Sequence, residues 1–216
     1  MEDNSGLKGI LSSSYIYEAF QRLVGVKYAR DWLAKNYWKL NGSEKVVDIG
    51  CGSGATLDNL PPGINYIGFD SSEAYIAAGR QRFDKRATFI VSTARQLLER
   101  PDPRLNDADL ILCNGVLHHL DDEEVICVFK LAKQILTVTG RLVCFEPTHL
   151  AHQAFLSEWL MSKDRGRNVR LESEWKQLAS SVFEVCHTSI ATNLYRVPYV
   201  HIIIQCQKAV DLEKQA

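Results

Sequence analysis

Charge of either sign in excess is missing from this chain: 25 Lys and Arg stand against 26 Asp and Glu, for a net charge of −1. No global basic field therefore draws it to nucleic acid or to an anionic membrane. Also missing is any apolar run near the ~20 residues a membrane-spanning helix needs. The opening Met1-Glu2-Asp3-Asn4 offers neither a basic nor an apolar leader region, so a cytoplasmic protein is expected. Six cysteines are present (Cys51, Cys113, Cys127, Cys144, Cys186 and Cys206), but none is spaced as a CxxC pair. Without clustered ligands no metal site is expected, and the cysteines read as reduced, small buried hydrophobes. Repeats, low-complexity tracts and linkers are absent, and 216 residues suit one domain with a substantial core.

The most informative segment is Val46-Val47-Asp48-Ile49-Gly50-Cys51-Gly52-Ser53-Gly54. An apolar strand runs into three glycines at alternate positions, which allow a sharp turn and a close ligand approach to bare backbone. A helix over Ala55–Leu60 is expected to follow, with its first amides facing the loop. Gly50-x-Gly52-x-x-Ala55, with Asp70 twenty residues after Gly50, also satisfies a dinucleotide fingerprint. Asp48 argues against it, since a buried acid beside the loop repels a pyrophosphate and attracts an ammonium or sulfonium. Gly54 extends the loop to Gly-x-Gly-x-Gly, and the sheet uses the whole chain without leaving a second catalytic domain.

Strand-like runs at Lys45–Ile49, Asn65–Asp70, Ala87–Ser92, Asp109–Asn114 and Arg141–Glu146 alternate with helical runs at Ser72–Phe83, Ala94–Arg100 and Asp121–Leu136. Such alternation predicts a doubly wound α/β fold with a mostly parallel sheet. Two β-branched runs, Val182–Thr192 and Tyr199–Gln207, are joined by too short a link for a parallel crossover and predict an antiparallel C-terminal hairpin. With its glycine loop and this hairpin, the sequence resembles the class I, Rossmann-like S-adenosylmethionine (SAM)-dependent methyltransferases of the small bacterial type. The resemblance covers residues 40 to 150 best. It implies seven strands in the order 3-2-1-4-5-7-6, SAM as cofactor and S-adenosylhomocysteine as product. Helical spacing over Tyr15–Val24 and Lys27–Trp38 suggests an N-terminal helical cap over residues 1–40. The SAM-binding domain then spans 41–216, with a lid insertion at about 147–181, in a single domain overall.

Ligands of open α/β sheets bind beyond the carboxyl ends of the strands. That rule nominates Asp48, Gly50, Cys51, Gly52 and Gly54 after the first strand, Asp70 and Ser71 after the second, Thr93 and Ala94 after the third, and Asn114 and Gly115 after the fourth. Through the resemblance, Asp70 takes the ribose hydroxyls, Thr93 and Ala94 lie at the adenine, and Asn114 meets the cofactor's amino group. Methyl transfer from a sulfonium chiefly requires alignment, and an O or N nucleophile can also need a proton removed. His119, Glu146 and His149 are the catalytic candidates, His119 being favoured over His118. The run Lys163-Asp164-Arg165-Gly166-Arg167-Asn168-Val169-Arg170 holds four basic residues against one acid. Arg165 and Arg167 there, with Arg196, Tyr199 and His201 near the hairpin, are the candidate substrate ligands, suited to an anionic group. The function expected is methyl transfer to an O or N atom of a small molecule. The alternatives are a SAM-binding protein that transfers no methyl group, such as a regulator or a cofactor-assisted cyclase, and a nicotinamide enzyme. No nucleic-acid or membrane partner is expected, and oligomeric state is left open.

Overall fold

The computed structural model describes residues 26–149, 168–195 and 200–209. The five alternating apolar runs form parallel strands: β1 (Lys45–Ile49), β2 (Asn65–Asp70), β3 (Ala87–Val91), β4 (Ala108–Asn114) and β5 (Leu136–His149). A two-residue strand, β6 (Arg170–Leu171), runs parallel to the end of β5. Then β7 (Val185–Ala191) and β8 (His201–Gln207) close the sheet as an antiparallel hairpin, with β8 against β5. The order β3-β2-β1-β4-β5-β8-β7 is the expected one, renumbered only because β6 intervenes in sequence.

Helix starts follow local capping chemistry. Ser72 accepts from the Tyr75 amide at the head of α2 (Glu73–Phe83). Reciprocal boxes, Thr93 with Gln96 and Asp121 with Glu124, open α3 (Ala94–Glu99) and α4 (Asp122–Ile135); each satisfies amides the helix cannot. Before them in the chain lies α1 (Val26–Leu33), continued by a π-helical turn over Ala34–Trp38. After β6 comes α5 (Glu172–Ser180).

Side chains alternate across a strand, so the sheet has two cores. Val47, Ile49, Ile111, Cys113, Leu142 and Cys144 pack against Leu97, Phe129, Trp175 and their neighbours on α3, α4 and α5. Val46, Leu110, Leu112, Val143 and Phe145 pack on the other side, against Ala29 and Leu33 of α1, Trp38, and Ile76 of α2. All six cysteines are free thiols. Among the described residues no helix is long and apolar enough to cross a membrane.

Three local expectations are corrected. The glycine loop leads into a 3-10 segment, Ala55–Asn59, not a full α-helix. Leu60 is extended there, as the residue before Pro61 must be, and Pro61-Pro62 cannot continue a helix. Strand β5 begins at Leu136 rather than Arg141, because a register shift between Ala108 and Leu110 absorbs the extra residues. Gly140 permits it: a Cβ there would lie 2.5 Å from the Ala108 carbonyl oxygen. At its other end β5 continues to His149, held by β6 and by the Thr148 amide donating to Val200 O. Of the expected insertion at 147–181, residues 147–149 are therefore strand and Glu172–Ser180 is the crossover helix onto β7. Residues 150–167, with Arg165 and Arg167, lie outside the described residues, as do Arg196, Tyr199 and residues 1–25.

Candidate active site

At the end of β1 the chain turns with Gly50, Gly52 and Gly54 at φ +65°, +55° and +76°. Gly50 has a packing reason: a Cβ would lie 2.5 Å from Cγ2 of Val116, so the loops after β1 and β4 close on each other only with glycine here. Gly52 differs, since a Cβ would meet nothing within 4 Å. Its open side is bare backbone. Its amide donates to Asp70 Oδ2 at 2.9 Å, while Asp70 Oδ1 accepts from the Ser72 amide, also at 2.9 Å. Asp70 thus fastens the glycine loop to the end of β2 and leaves lone pairs for further donors.

Asp48 lies beneath the loop, 2% exposed, and accepts from the Tyr66 hydroxyl at 2.7 Å. Burial pushes its carboxyl up to about 6, against the hydrogen bonds from Tyr66 and Thr56 and the nearby charge of Arg30, which pull it down. Cys51 is buried beside it, and burial with the charges of Asp48 and Asp70 raises its thiol far above the range of a reactive cysteine. Thr93 and Ala94 stand at the head of α3, where the Thr93 hydroxyl caps Gln96 N. Ser71 is exposed at the turn into α2. Asn114 ends β4 in register with Phe145. Its Oδ1 is buried without a hydrogen-bond partner among the described residues, an acceptor that a ligand donor would satisfy. Gly115 follows at φ +69° and donates its amide to Phe145 O.

The open face at Gly52, the acid at Asp70 and the buried acceptor at Asn114 fit the nucleoside and amino group of the expected cofactor. A sulfonium donor bound there supplies an already activated methyl group. Asp70 would hold its ribose and the glycine loop its backbone-facing side.

Next to this cradle is a 3-10 turn, Leu117–His119. Glu146, wholly buried, organises it. Its Oε1 accepts from the Val116 and Leu117 amides at 2.9 and 3.0 Å, and its Oε2 from the His118 amide at 3.4 Å. The same Oε2 lies 2.7 Å from His118 Nδ1. With three backbone amides donating to it, Glu146 is placed as an acceptor, so the hydrogen of this contact sits on His118 Nδ1. His119, exposed, sets its ring 4.0 Å from that of His118, tilted by 40°. His149 is half-buried at the end of β5; strand alternation sets it on the opposite face of the sheet from Glu146. His201 is buried, stacked on Phe145 at 4.4 Å and edge-on to Tyr195 at 4.5 Å. Burial, with His118 close by, pulls its imidazole down to about 3. His201 is therefore neutral near pH 7 and brings no positive charge to an anion.

The site thus joins His118, His119 and Glu146, and separately Phe145, Tyr195 and His201. The pairing of Glu146 with His118 was not legible in sequence, because 28 residues separate them. Arg170, in the same basic run as Arg165 and Arg167 but not singled out there, is buried.

A family model described as a methyltransferase domain matches residues 47–142. The comparison with curated protein sequences returns no match. Among solved structures, mitomycin 7-O-methyltransferase is 18% identical at a TM-score of 0.67, over 95% of this chain and 61% of that one. A phosphoethanolamine N-methyltransferase of Haemonchus contortus, in complex with phosphomonomethylethanolamine and S-adenosylhomocysteine, is 14% identical at 0.72, over 94% and 59%. A TehB-like SAM-dependent methyltransferase from Corynebacterium glutamicum is 17% identical at 0.60, over 91% and 98%. The chain spans about three fifths of the length of the first two. At these identities the likeness is one of fold, and the matched domain disfavours the non-methylating and nicotinamide alternatives. The cofactor of such a domain is SAM, and its product S-adenosylhomocysteine. Residues 47–142, carrying the glycine loop, Asp70 and the histidine turn, thus match a methyltransferase domain, on a fold shared with Rossmann-like SAM-dependent methyltransferases.

Proposed function

We propose that this protein transfers a methyl group from SAM to an oxygen or nitrogen atom of a small molecule. The observation that carries this is the adjacency of two parts. Asp70 and the glycine loop form a cradle for the cofactor, and the Glu146-tethered histidine turn abuts it through the Gly50–Val116 contact. A sulfonium methyl needs mainly alignment with its nucleophile. An acceptor hydroxyl or ammonium must also lose a proton, and imidazole is suited to accept it near neutral pH. His118, fixed in one tautomer by Glu146, and the exposed His119 beside it are the proton acceptors of this reading. Glu146 itself is enclosed and holds His118 in place. Asp48, Gly50, Cys51, Gly54, Ser71, Thr93, Ala94, Asn114 and Gly115 complete the cofactor side.

The near-zero net charge favours a small-molecule acceptor over nucleic acid. With His201 neutral, any grip on an anionic group falls to Arg165, Arg167 and Arg196. A cytoplasmic location accords with this chemistry.

The test is incubation of the protein with methyl-labelled SAM and a panel of small phenols, carboxylates and amines, following label in the acceptor and S-adenosylhomocysteine release. Label transfer to at least one acceptor, abolished in a His118→Ala, His119→Ala double variant, is expected. Tight S-adenosylhomocysteine binding with no transfer to any acceptor class overturns the reading.

A further inference from the structure

Arg170 is 8% exposed, and every nitrogen of its guanidinium is engaged. Nε and Nη2 donate to Asp122 Oδ1 at 2.9 and 2.7 Å. Nη2 also donates to Leu120 O at 2.9 Å, and Nη1 to Leu117 O at 3.3 Å and Asn168 O at 3.1 Å. Its planar head lies 4.7 Å over the ring of Trp175, which is fully buried. Leu117 O opens the histidine turn, whose amides Glu146 takes, and already accepts the Leu120 amide at 3.1 Å; Leu120 O stands immediately after the turn. Next to Arg170, the Asn168 amide donates to His118 O at 3.0 Å.

A three-residue 3-10 turn has little stability of its own, and it leaves amides unsatisfied at one end and carbonyls at the other. Here a buried anion takes the amides, while a buried cation takes the carbonyl just past the turn and shares Leu117 O with the turn's own hydrogen bond. Burying either ion is costly unless its hydrogen bonds are well made. An apolar contact would stabilise the neighbourhood at less cost, but it would not fix the rotation of the turn. Two buried, oppositely charged groups on one turn fix its orientation from both sides.

We propose that Arg170 is a positioning residue for methyl transfer: from the carbonyl side, opposite Glu146, it sets the orientation in which His118 and His119 face the acceptor. This rests on the function proposed above. Arg170 itself touches no reacting atom; it acts through the turn, and β6 is the means by which the fold delivers it there.

The test uses the full chain carrying Arg170→Lys, which keeps the charge and loses the fork, and Asp122→Ala. The second removes a carboxylate whose side chain is 69% exposed and leaves Arg170 in place, so it reports even if the first variant fails to fold. Imidazole nitrogen NMR spectra are recorded with S-adenosylhomocysteine bound, alongside its affinity by calorimetry. The expected result is shifted or doubled His118 and His119 signals in both variants, unchanged His187 signals on the distant β7, and affinity within about threefold of the parent. With an acceptor from the panel above, kcat is expected to fall about tenfold to a hundredfold, the scale of a misplaced catalytic group. Unchanged His118 and His119 spectra in both variants, with only a lower melting temperature, overturn the proposal and leave Arg170 a stabilising residue. Failure of every acceptor to accept methyl is a failure of the function, not of this inference, because the spectra decide the positioning without turnover.

Discussion

Asp48 and Asp70 lie on the neighbouring strands β1 and β2 and do opposite things with their charge. Asp70 spends one lone pair per oxygen on Gly52 and Ser72 amides; in the proposed reading the rest take a ribose. Its replacement by Ala is expected to weaken S-adenosylhomocysteine binding about a hundredfold, two charge-assisted hydrogen bonds at roughly 1.5 kcal/mol each, as calorimetry will show. An unchanged affinity removes the ribose role. Asp48 is held in the form the fold tolerates less well. Its folded pKa of about 6 lies above the ordinary carboxyl value of 3.8, so the folded chain binds the extra proton. The stability this group contributes is full below about pH 4 and is lost as pH rises through about 6, on the order of 3 kcal/mol. Asp48→Asn should therefore raise the melting temperature near pH 8, leave it little changed near pH 4, and weaken SAM binding, the usual trade of stability against a charged site. His201 has the opposite sign. Its pKa is depressed from 6.5 to about 3, so its stability is full above about pH 6.5 and is lost as pH falls through about 3. His201→Phe, keeping a ring on Phe145, should flatten the acid side of a melting-temperature profile.

Among elements, the glycine loop and the histidine turn are the two that matter, and they fit each other through Gly50. Substitutions at two glycines separate fold from ligand. Gly50→Ala drives a methyl into Val116 and is expected to lower stability by about 1–3 kcal/mol through overpacking, with the turn displaced. Gly52→Ala meets no atom within 4 Å. It carries a left-handed backbone cost of about 1–2 kcal/mol, but the fold should persist, while the methyl stands in the cofactor's place and binding falls at least about tenfold. Circular dichroism melts and calorimetry on the pair distinguish the roles; equal loss of binding and fold in both contradicts the assignment. The loop was legible because its residues are contiguous and each glycine answers a local backbone need. The turn was only half legible. Asn114 to His119 could be placed after β4, yet what holds them, Glu146 and Arg170, comes from 28 to 53 residues away. No spacing rule links such positions. Arg170 was hidden further by its neighbours, since a basic run reads as solvated surface until a fold buries one member against Trp175.

For the whole molecule, the sheet is a gradient from centre to edge. β2, β1, β4, β5 and β8 are paired on both sides, whereas β7 and β3 are its edges. Native-state hydrogen exchange should find the slowest amides in β4 and β5 and markedly faster ones in β7 and β3, because edges open by sub-global fluctuations with few contacts to break. Uniform exchange across the seven strands would contradict this order. The hairpin also brings His201 beside Phe145, on the strand that carries Glu146.

Sequence alone determined the strand and helix alternation, the antiparallel close and the glycine loop after β1. Each is a local pattern, with period two or 3.6, a cap, or a turn that only glycine allows, and local patterns are written in adjacent residues. Tertiary structure decided the rest: that the loop leads into a short 3-10 segment, that β5 runs on to His149, that Glu146 serves His118, and that Arg170 is buried and grips the same turn. Those outcomes depend on which distant groups the sheet order brings within hydrogen-bond reach. A buried charge finds its partner in space rather than along the chain.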